Sequence, residues 1–292
     1  MKILLGKHAG FCYGVRRAVE EASALAERGV KCATLGPLIH NPQEVERLSR
    51  NGIRCVDSPE DVLPGETLIL RSHGVAPGEI QKAEALGVPV VDLTCPHVSH
   101  IHRLAQAVAP GRALIIVGQA DHPEVQGIAG WCRGSVLILG NEEEAREAAL
   151  PDQADVVAQT TIRRETFEAV LRILTRRIPD LSVHRTICAA TSQRQEEAER
   201  LSVEADAVLV VGGENSSNTR KLFETCRTHC PRTLLVQSPD DIPEGFAEGA
   251  EIVAVTAGAS TPGWLLSDVL KSLRERSLRE RSLREGTKSE IT

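Results

Sequence analysis

Three glycines divide this chain into thirds. Gly36, Gly118 and Gly212 each close an apolar, strand-like run, Cys32–Gly36, Ala113–Gly118 and Val208–Gly212. Each follows a cysteine at a nearly constant distance: 24 residues after Cys12, 23 after Cys95 and 24 after Cys188. A helical pattern fills the interval. Shortly past each glycine come polar groups: His40, His122 and Ser216–Asn218. Each third then has a further strand that ends in polar residues, Arg71-Ser72-His73-Gly74, Gln159-Thr160-Thr161 and Thr256-Ala257-Gly258-Ala259-Ser260. Recurrence at a fixed period is the mark of a repeated structural unit. The period here, roughly 80–95 residues, is a normal domain size. Similar element lengths produce similar spacings by chance, but three features recurring together weigh against that reading.

The remaining strand-like runs are Ile3–Gly6, Ile53–Val56, Thr67–Arg71, Val88–Asp92, Val136–Leu139, Val156–Gln159, Leu181–His184, Thr233–Val236 and Ile252–Thr256. Helical patterns such as Val15–Glu27, Pro77–Leu86, Val98–Val108, Thr166–Arg177 and Ser192–Val203 lie between them. Alternating β and α units predict small, mostly parallel sheets flanked by helices. Sites in such folds sit at the C-terminal ends of the strands. The expected division is an α/β domain over 13–94, a second over 95–187 and a third over 188–271. Strands precede Cys95 and Cys188, whereas the strand before Cys12 is the N-terminus itself. Residues 1–12 are therefore expected to complete the third domain. The repeats Ser272-Leu273-Arg274-Glu275-Arg276, Ser277-Leu278-Arg279-Glu280-Arg281 and Ser282-Leu283-Arg284-Glu285-Gly286 advance leucine about 140° per step on a helix, so no apolar stripe forms. Residues 272–292 are read as a solvated or disordered tail rather than an interaction helix.

Composition narrows the function. The 292 residues are 41% hydrophobic and 25% charged, enough for a large core or two to three small ones. With aromatics at 2%, that core must be built from Leu, Val, Ile and Ala. Net charge is -6 with dispersed basic residues, which offers nucleic acid no basic stripe or aromatic platform. No apolar run is long enough to span a bilayer, and the N-terminus lacks a full signal region, so a cytoplasmic location without membrane partners is expected. Disulfides among the eight cysteines are not expected in that compartment.

Two constellations carry chemistry. His122-Pro123-Glu124 puts an imidazole and a carboxylate beside a strand end, a placement suited to proton transfer. Cys12, Cys95 and Cys188 each precede a helix, whose N-terminus stabilises thiolate. Three such thiolates facing one axis suit an iron–sulfur cluster, and leave one iron open for substrate. Their spacing matches no compact metal motif, so three buried thiols is the competing reading. A lone His40 or His73 is more often an ordinary loop residue, and Asn-Ser-Ser-Asn is common turn and cap chemistry. His97, His100 and His102 do not share one helical face, and are read as surface or supporting residues. Cys226 and Cys230 are read as buried or idle thiols.

Taken together, the segments resemble a known family. They are Gly10-Phe11-Cys12-x-Gly14-Val15-x-Arg17-Ala18, Ser72-His73-Gly74-Val75, Asp92-x-Thr94-Cys95-Pro96, His122-Pro123-Glu124-Val125, Gln159-Thr160-Thr161, Ile187-Cys188-x-Ala190-Thr191, Asn215-Ser216-Ser217-Asn218 and Thr256-Ala257-Gly258-Ala259-Ser260. In this order they are similar to the signature segments of the IspH/LytB family of 4-hydroxy-3-methylbut-2-enyl diphosphate reductases. The resemblance implies three pseudo-threefold-related α/β domains around a central iron–sulfur cluster. It implies reductive dehydroxylation of an allylic diphosphate to isopentenyl and dimethylallyl diphosphates, in the non-mevalonate isoprenoid pathway. It further implies Cys12, Cys95 and Cys188 as ligands of a [4Fe-4S] cluster with one iron lacking a cysteine. By the same resemblance Glu124 is the proton donor, with His122 and Thr160 beside it. His40, His73, His122, Ser216, Ser217, Asn218 and Ser260 are the diphosphate-binding set. Flavodoxin or ferredoxin is the implied electron donor. Tyr13 and His97 stand next to ligands where smaller or aliphatic residues are more usual, which bears on solvent access and potential rather than on ligation.

Two rival readings account for less of the sequence. Another three-cysteine iron–sulfur enzyme, such as a quinolinate-synthase-like dehydratase, does not account for His-Pro-Glu or Asn-Ser-Ser-Asn. A non-catalytic phosphate-ligand binding protein has no use for three cysteines at matching positions.

Overall fold

The structure is a computed structural model that describes residues 1–289, the side chains of residues 279–289 excepted. In chain order the elements are β1 (Lys2–Leu5), α1 (Tyr13–Glu27), β2 (Cys32–Leu35), α2 (Pro42–Arg50), β3 (Ile53–Val56), β4 (Thr67–Leu70), α3 (Pro77–Ala85), β5 (Val90–Asp92), α4 (Pro96–Gln106) and β6 (Ala113–Val117). Then come α5 (Pro123–Trp131), β7 (Val136–Leu139), α6 (Glu142–Glu147), β8 (Gln153–Ala158), α7 (Arg164–Arg177), β9 (Asp180–Val183), α8 (Ala189–Glu204), β10 (Ala207–Val211), α9 (Ser217–His229), β11 (Thr233–Val236), β12 (Ile252–Ala257) and α10 (Gly263–Ser289). Every expected strand is present, three with the expected bounds and the others with ends shifted by at most three residues.

The strands form three four-stranded parallel sheets, ordered β3-β2-β4-β5, β7-β6-β8-β9 and β11-β10-β12-β1. One strand order thus serves all three. In each, the strand after the cysteine-bearing helix is flanked by the next two, and a fourth strand lies outside. β1 takes that fourth place in the third sheet, pairing Lys2–Leu5 with Ile252–Val255. The central strands β6 and β10 are buried at every position. Parallel strands covered on both faces require such continuous apolar runs. Short aliphatic side chains fill the cores, with Phe167 the one aromatic among the largest fully buried side chains.

By compactness the described chain divides into two units. One comprises Tyr13–Ile39 and Gln43–Ala189 and holds the first two sheets. The other comprises Met1–Cys12, His40–Pro42 and the chain from Ala190 onward, and holds the third sheet.

The repeat tail is helical as far as Ser289, whereas a disordered tail was one of the two expected forms. Helix α10 carries apolar positions such as Leu265, Val269 and Leu273 into the core of the third sheet, so packing against that sheet supports its start. Leu273, within the first repeat, is fully buried there, while Leu278 in the second is 63% exposed. Burial therefore reaches slightly past the expected boundary at 271, and Leu278 follows the solvated form. Residues 290–292 lie outside the described residues.

Candidate active site

In the unit with the first two sheets, the catalytic candidates come together at strand ends. β6 finishes at Val117, and a Cβ on Gly118 would lie 2.8 Å from Val125 Cγ2 and 2.9 Å from Gln159 Cβ, so only glycine allows the chain to turn there. His122 is then the N-cap of α5, with Pro123 at its first position. Its Nδ1 accepts the Glu124 N–H at 3.1 Å. That bond assigns the ring proton to Nε2, leaving it as a donor.

Glu124 is only 2% exposed. Its Oε1 accepts the Thr160 backbone N–H at 2.6 Å and its Oε2 accepts the Thr160 hydroxyl at 2.7 Å. A buried carboxyl is tolerable only with such partners. Thr160 in turn accepts the Cys188 N–H at its carbonyl, 3.1 Å away. The proposed acid, its threonine and one proposed ligand therefore form one hydrogen-bonded chain. His73 enters from the turn after β4, its ring meeting that of His122 edge-on at 6.0 Å between centroids.

The three cysteines are held alike. Cys95 N–H donates to Ser72 O at 3.0 Å, Cys188 N–H to Thr160 O at 3.1 Å, and Cys12 N–H to Ala259 O at 3.0 Å. In every case the acceptor lies just past the strand (β4, β8 or β12) that pairs with the strand leading into that cysteine (β5, β9 or β1). Each cysteine directly precedes a helix, and all three are half-buried and outside any disulfide. Cys132 is half-buried too, but at the C-terminal end of α5, so position rather than burial sets the three apart. A Cβ on Gly14 would lie 2.4 Å from Cys95 Sγ, so the first turn of α1 leaves room for that sulfur only as glycine. This donor chemistry fits an iron–sulfur cluster: soft thiolates at positive helix ends, with backbone already anchored. Among the described residues no three His, Cys, Asp or Glu gather about a single metal ion. Cys95 and Cys188 belong to one unit and Cys12 to the other.

In the unit built on the third sheet, the loop that carries Cys12 is fastened by α8. Glu197 accepts the N–H groups of Lys7 and His8 at 2.8 and 2.9 Å, and Arg194 donates to Gly10 O at 2.9 Å. Ser216 is the N-cap of α9, its hydroxyl accepting the Thr219 N–H. Ser260 Oγ donates to His40 O at 3.0 Å and lies 3.4 Å from Ser216 Oγ, which brings three of the expected diphosphate residues together. Ser217 and Asn218 occupy the first turn of α9 and are buried. Asn218 is 3% exposed, yet neither its Nδ2 nor its Oδ1 has a hydrogen-bond partner among the described residues. Buried amides are normally satisfied, so this one is shaped for a polar ligand. The N-terminus of the same helix favours an anion.

Several supporting residues were not singled out from sequence. Arg194 and Glu197 lie in a polar stretch of α8 that gives no warning of burial, and Lys221, also buried, lies one turn past Ser217. Thr219 and Thr261 wedge against Gly212 and Gly258, where a Cβ on Gly258 would come within 2.0 Å of Thr219 Oγ1. The crowding of two strand-end glycines was the available signal. His97 and His100 are exposed as expected, while His102 is buried. Cys226 and Cys230 are buried, and burial pushes the Cys226 thiol up to about 12, which makes it inert.

Three parallel α/β sheets with cysteines and polar groups at the strand ends define a class, a redox enzyme for a small anionic substrate. Residues 3–274 match the family model described as LytB protein, and the chain belongs to that family. It is 41% identical over 279 residues to the 4-hydroxy-3-methylbut-2-enyl diphosphate reductase of Geotalea uraniireducens, covering 94% of this chain and 98% of that one. To the reductase of the same name from Geobacter sulfurreducens it is 42% identical, with the same coverage. A solved structure of (E)-4-hydroxy-3-methyl-but-2-enyl diphosphate reductase, the terminal enzyme of the non-mevalonate pathway, is 36% identical, with a TM-score of 0.70 over 94% of this chain and all of that one. The Plasmodium falciparum reductase structure is 25% identical, with a TM-score of 0.87 over 94% of this chain and 87% of that one. The family is an iron–sulfur one. Among the described residues no helix is long and apolar enough to cross a membrane.

Proposed function

We propose that this chain reductively dehydroxylates 4-hydroxy-3-methylbut-2-enyl diphosphate to isopentenyl and dimethylallyl diphosphates. The balance is two electrons and two protons in, one water out. The observation that carries the mechanism is the buried Glu124 carboxyl, bound at both oxygens by Thr160. The reading takes 13–94, 95–187 and 188–271 with 1–12 as three domains, with Cys95 in the second and Cys188 and Cys12 in the third. Cys12, Cys95 and Cys188 hold a [4Fe-4S] cluster with one iron free of cysteine, which when bound supplies electrons one at a time and a Lewis-acidic position for the hydroxyl oxygen.

The residues of the chain do the rest. Glu124 delivers a proton to the departing hydroxyl oxygen so that the allylic C–O bond breaks with water as leaving group. Thr160 orients that carboxyl through its N–H and hydroxyl bonds. The Nε2–H of His122 donates toward the diphosphate, with His73 beside it. Ser216, Ser217, Asn218, Ser260 and His40 supply the remaining donors, and the N-terminus of α9 adds positive potential. A site built this way holds a diphosphate without a salt-bridging lysine cluster. A second proton, to carbon, completes the product. Flavodoxin or ferredoxin delivers the electrons.

The test is anaerobic turnover of 4-hydroxy-3-methylbut-2-enyl diphosphate by cluster-loaded protein with a strong one-electron donor. Isopentenyl and dimethylallyl diphosphates are the expected products, and their absence sinks the reading. Cys95→Ser should lose the visible absorbance and iron of the cluster, whereas Cys226→Ser should keep both. Equal behaviour of the two would undo the ligand assignment.

A further inference from the structure

The His73 turn and the His122–Glu124 segment reach the site from different sheets of one unit. For both imidazoles to act on one substrate group, something must fix the distance between them. The structure has a device for this, outside the residues already assigned. Gly74, next to His73, has φ +74°, the left-handed region that favours glycine. The turn it forms is pressed between two helices. From α4, His102 fills the space where a Gly74 Cβ would be: such a carbon would lie 2.3 Å from His102 Cε1 and 2.9 Å from Nε2.

From α5 comes a small-residue face. A Cβ on Gly130 would lie 2.5 Å from Ala76 Cβ, and one on Gly127 would touch Gly74 C, Val75 N and the His102 ring at 3.5–3.6 Å. Trp131, at the end of the same helix, donates its Nε1–H to Val75 O at 2.9 Å. Its ring stacks on His102 with centroids 5.3 Å apart and planes 21° apart. Residues 74–76 are thus gripped by α4 and by the helix whose first turn carries His122 and Glu124.

His102 is an odd choice for a mere filler. It is 6% exposed, and its Nε2 has no hydrogen-bond partner among the described residues. Burial pushes its pKa down to about 4, against a weaker upward pull from Asp92. It is therefore a neutral, flat ring, and leaving one nitrogen unsatisfied carries a cost that an aliphatic side chain would avoid. Its flat five-membered shape is what the close approach to Gly74 on one side and Trp131 on the other requires.

We propose that His102 and Trp131 are positioning residues, a clasp that fixes the His73 turn in register with the His122–Glu124 end of α5. The proposal rests on the reaction assigned above, and its test separates the two. His102→Gln, Trp131→Phe and His73→Gln are made in the full chain, loaded with cluster under anaerobic conditions, alone and as the His102/His73 pair. His102→Gln should lower kcat/KM roughly 10- to 100-fold, the scale of a small misplacement. With His73 already replaced, the same change should cost less than about threefold, because both act through one group. Trp131→Phe keeps the stacked ring and loses one hydrogen bond, so it should fold normally and cost only a few-fold. His229→Gln, on α9 of the other unit, should change nothing.

Hydrogen exchange gives a readout independent of turnover. Amides of residues 73–76 should exchange faster in His102→Gln and Trp131→Phe, with the third sheet unaffected. Unchanged exchange in that turn, or fully additive losses in the His102/His73 cycle, overturns the proposal. A cluster-loaded wild type that does not turn over would sink the reaction reading instead, and the exchange arm would still decide whether the clasp holds the turn.

Discussion

The loop after β6 and the loop after β10 occupy corresponding places in two repeats, and they are finished in opposite ways. After β6, the polar group that matters is satisfied from within: both Glu124 oxygens are bound by Thr160, and His122 caps its own helix. After β10, Ser216 caps α9 in the same manner, but Asn218 in its first turn is buried with neither polar atom partnered among the described residues. On the proposed function the first loop is a proton device whose groups must stay aimed before substrate arrives, and the second holds donors and acceptors in reserve for the diphosphate. A common backbone plan can therefore be divided between chemistry and recognition by changing which side chains are satisfied internally.

The sharpest way to break this contrast is Glu124→Gln. It keeps the size and the Thr160 contacts in part, so the cluster spectrum should survive while turnover falls roughly 10²- to 10⁴-fold. Full activity in that variant would remove Glu124 as proton donor. Thr160→Val is next: it strands a buried carboxyl oxygen, and chemical denaturation should show a loss of about 1–3 kcal/mol. The opposite sign is expected at the other loop. Asn218→Leu replaces unpaired polar atoms with apolar ones and should raise stability by about 1 kcal/mol, while weakening substrate binding. If both swaps moved stability in the same direction, the division between the loops would be wrong.

Between those two in size lies a pH effect from His102. Its ordinary pKa of 6.5 falls to about 4 in the folded chain. Below about 6.5 the unfolded chain binds the proton that the folded chain refuses, so stability is fully present above that value and declines as pH falls toward about 4. Between pH 7 and 5 the wild type should lose about 2 kcal/mol from this group. His102→Gln should lack that component of the slope, which parallel denaturation curves at the two pH values would detect.

Much of the scaffold was legible in the chain because strand and helix periods are local signals. The runs around Ile115 and Leu209 announce doubly covered strands, and the distance from each cysteine to its glycine exposes the repeat. The site was legible as segments but not as bonds. Nothing in the order of residues says that Thr160 turns both its N–H and its hydroxyl onto Glu124, a contact across 36 positions that exists only because β6 and β8 are neighbours. Arg194 and Glu197 stayed hidden for a different reason. Charged residues on a polar helix are usually solvated, and these are buried because backbone groups of the Cys12 loop need them. Helical spacing separates His102 from His97 and His100 and leaves all three as surface or supporting residues; its neighbours, Gly74 and Trp131, lie elsewhere in the chain.

The three cysteine N–H bonds to strand-end carbonyls have a consequence for the upkeep of the protein. Each cysteine is moored by main chain to its own sheet, not by its sulfur. Small zinc domains fold only as metal arrives; on the proposed reading these N–H bonds and the apolar cores need no cluster, so inserting the inorganic part would be a docking step onto prepared moorings. Oxidative damage to the cluster would then cost the cell a replaceable component. The polypeptide would persist as a folded acceptor for repair.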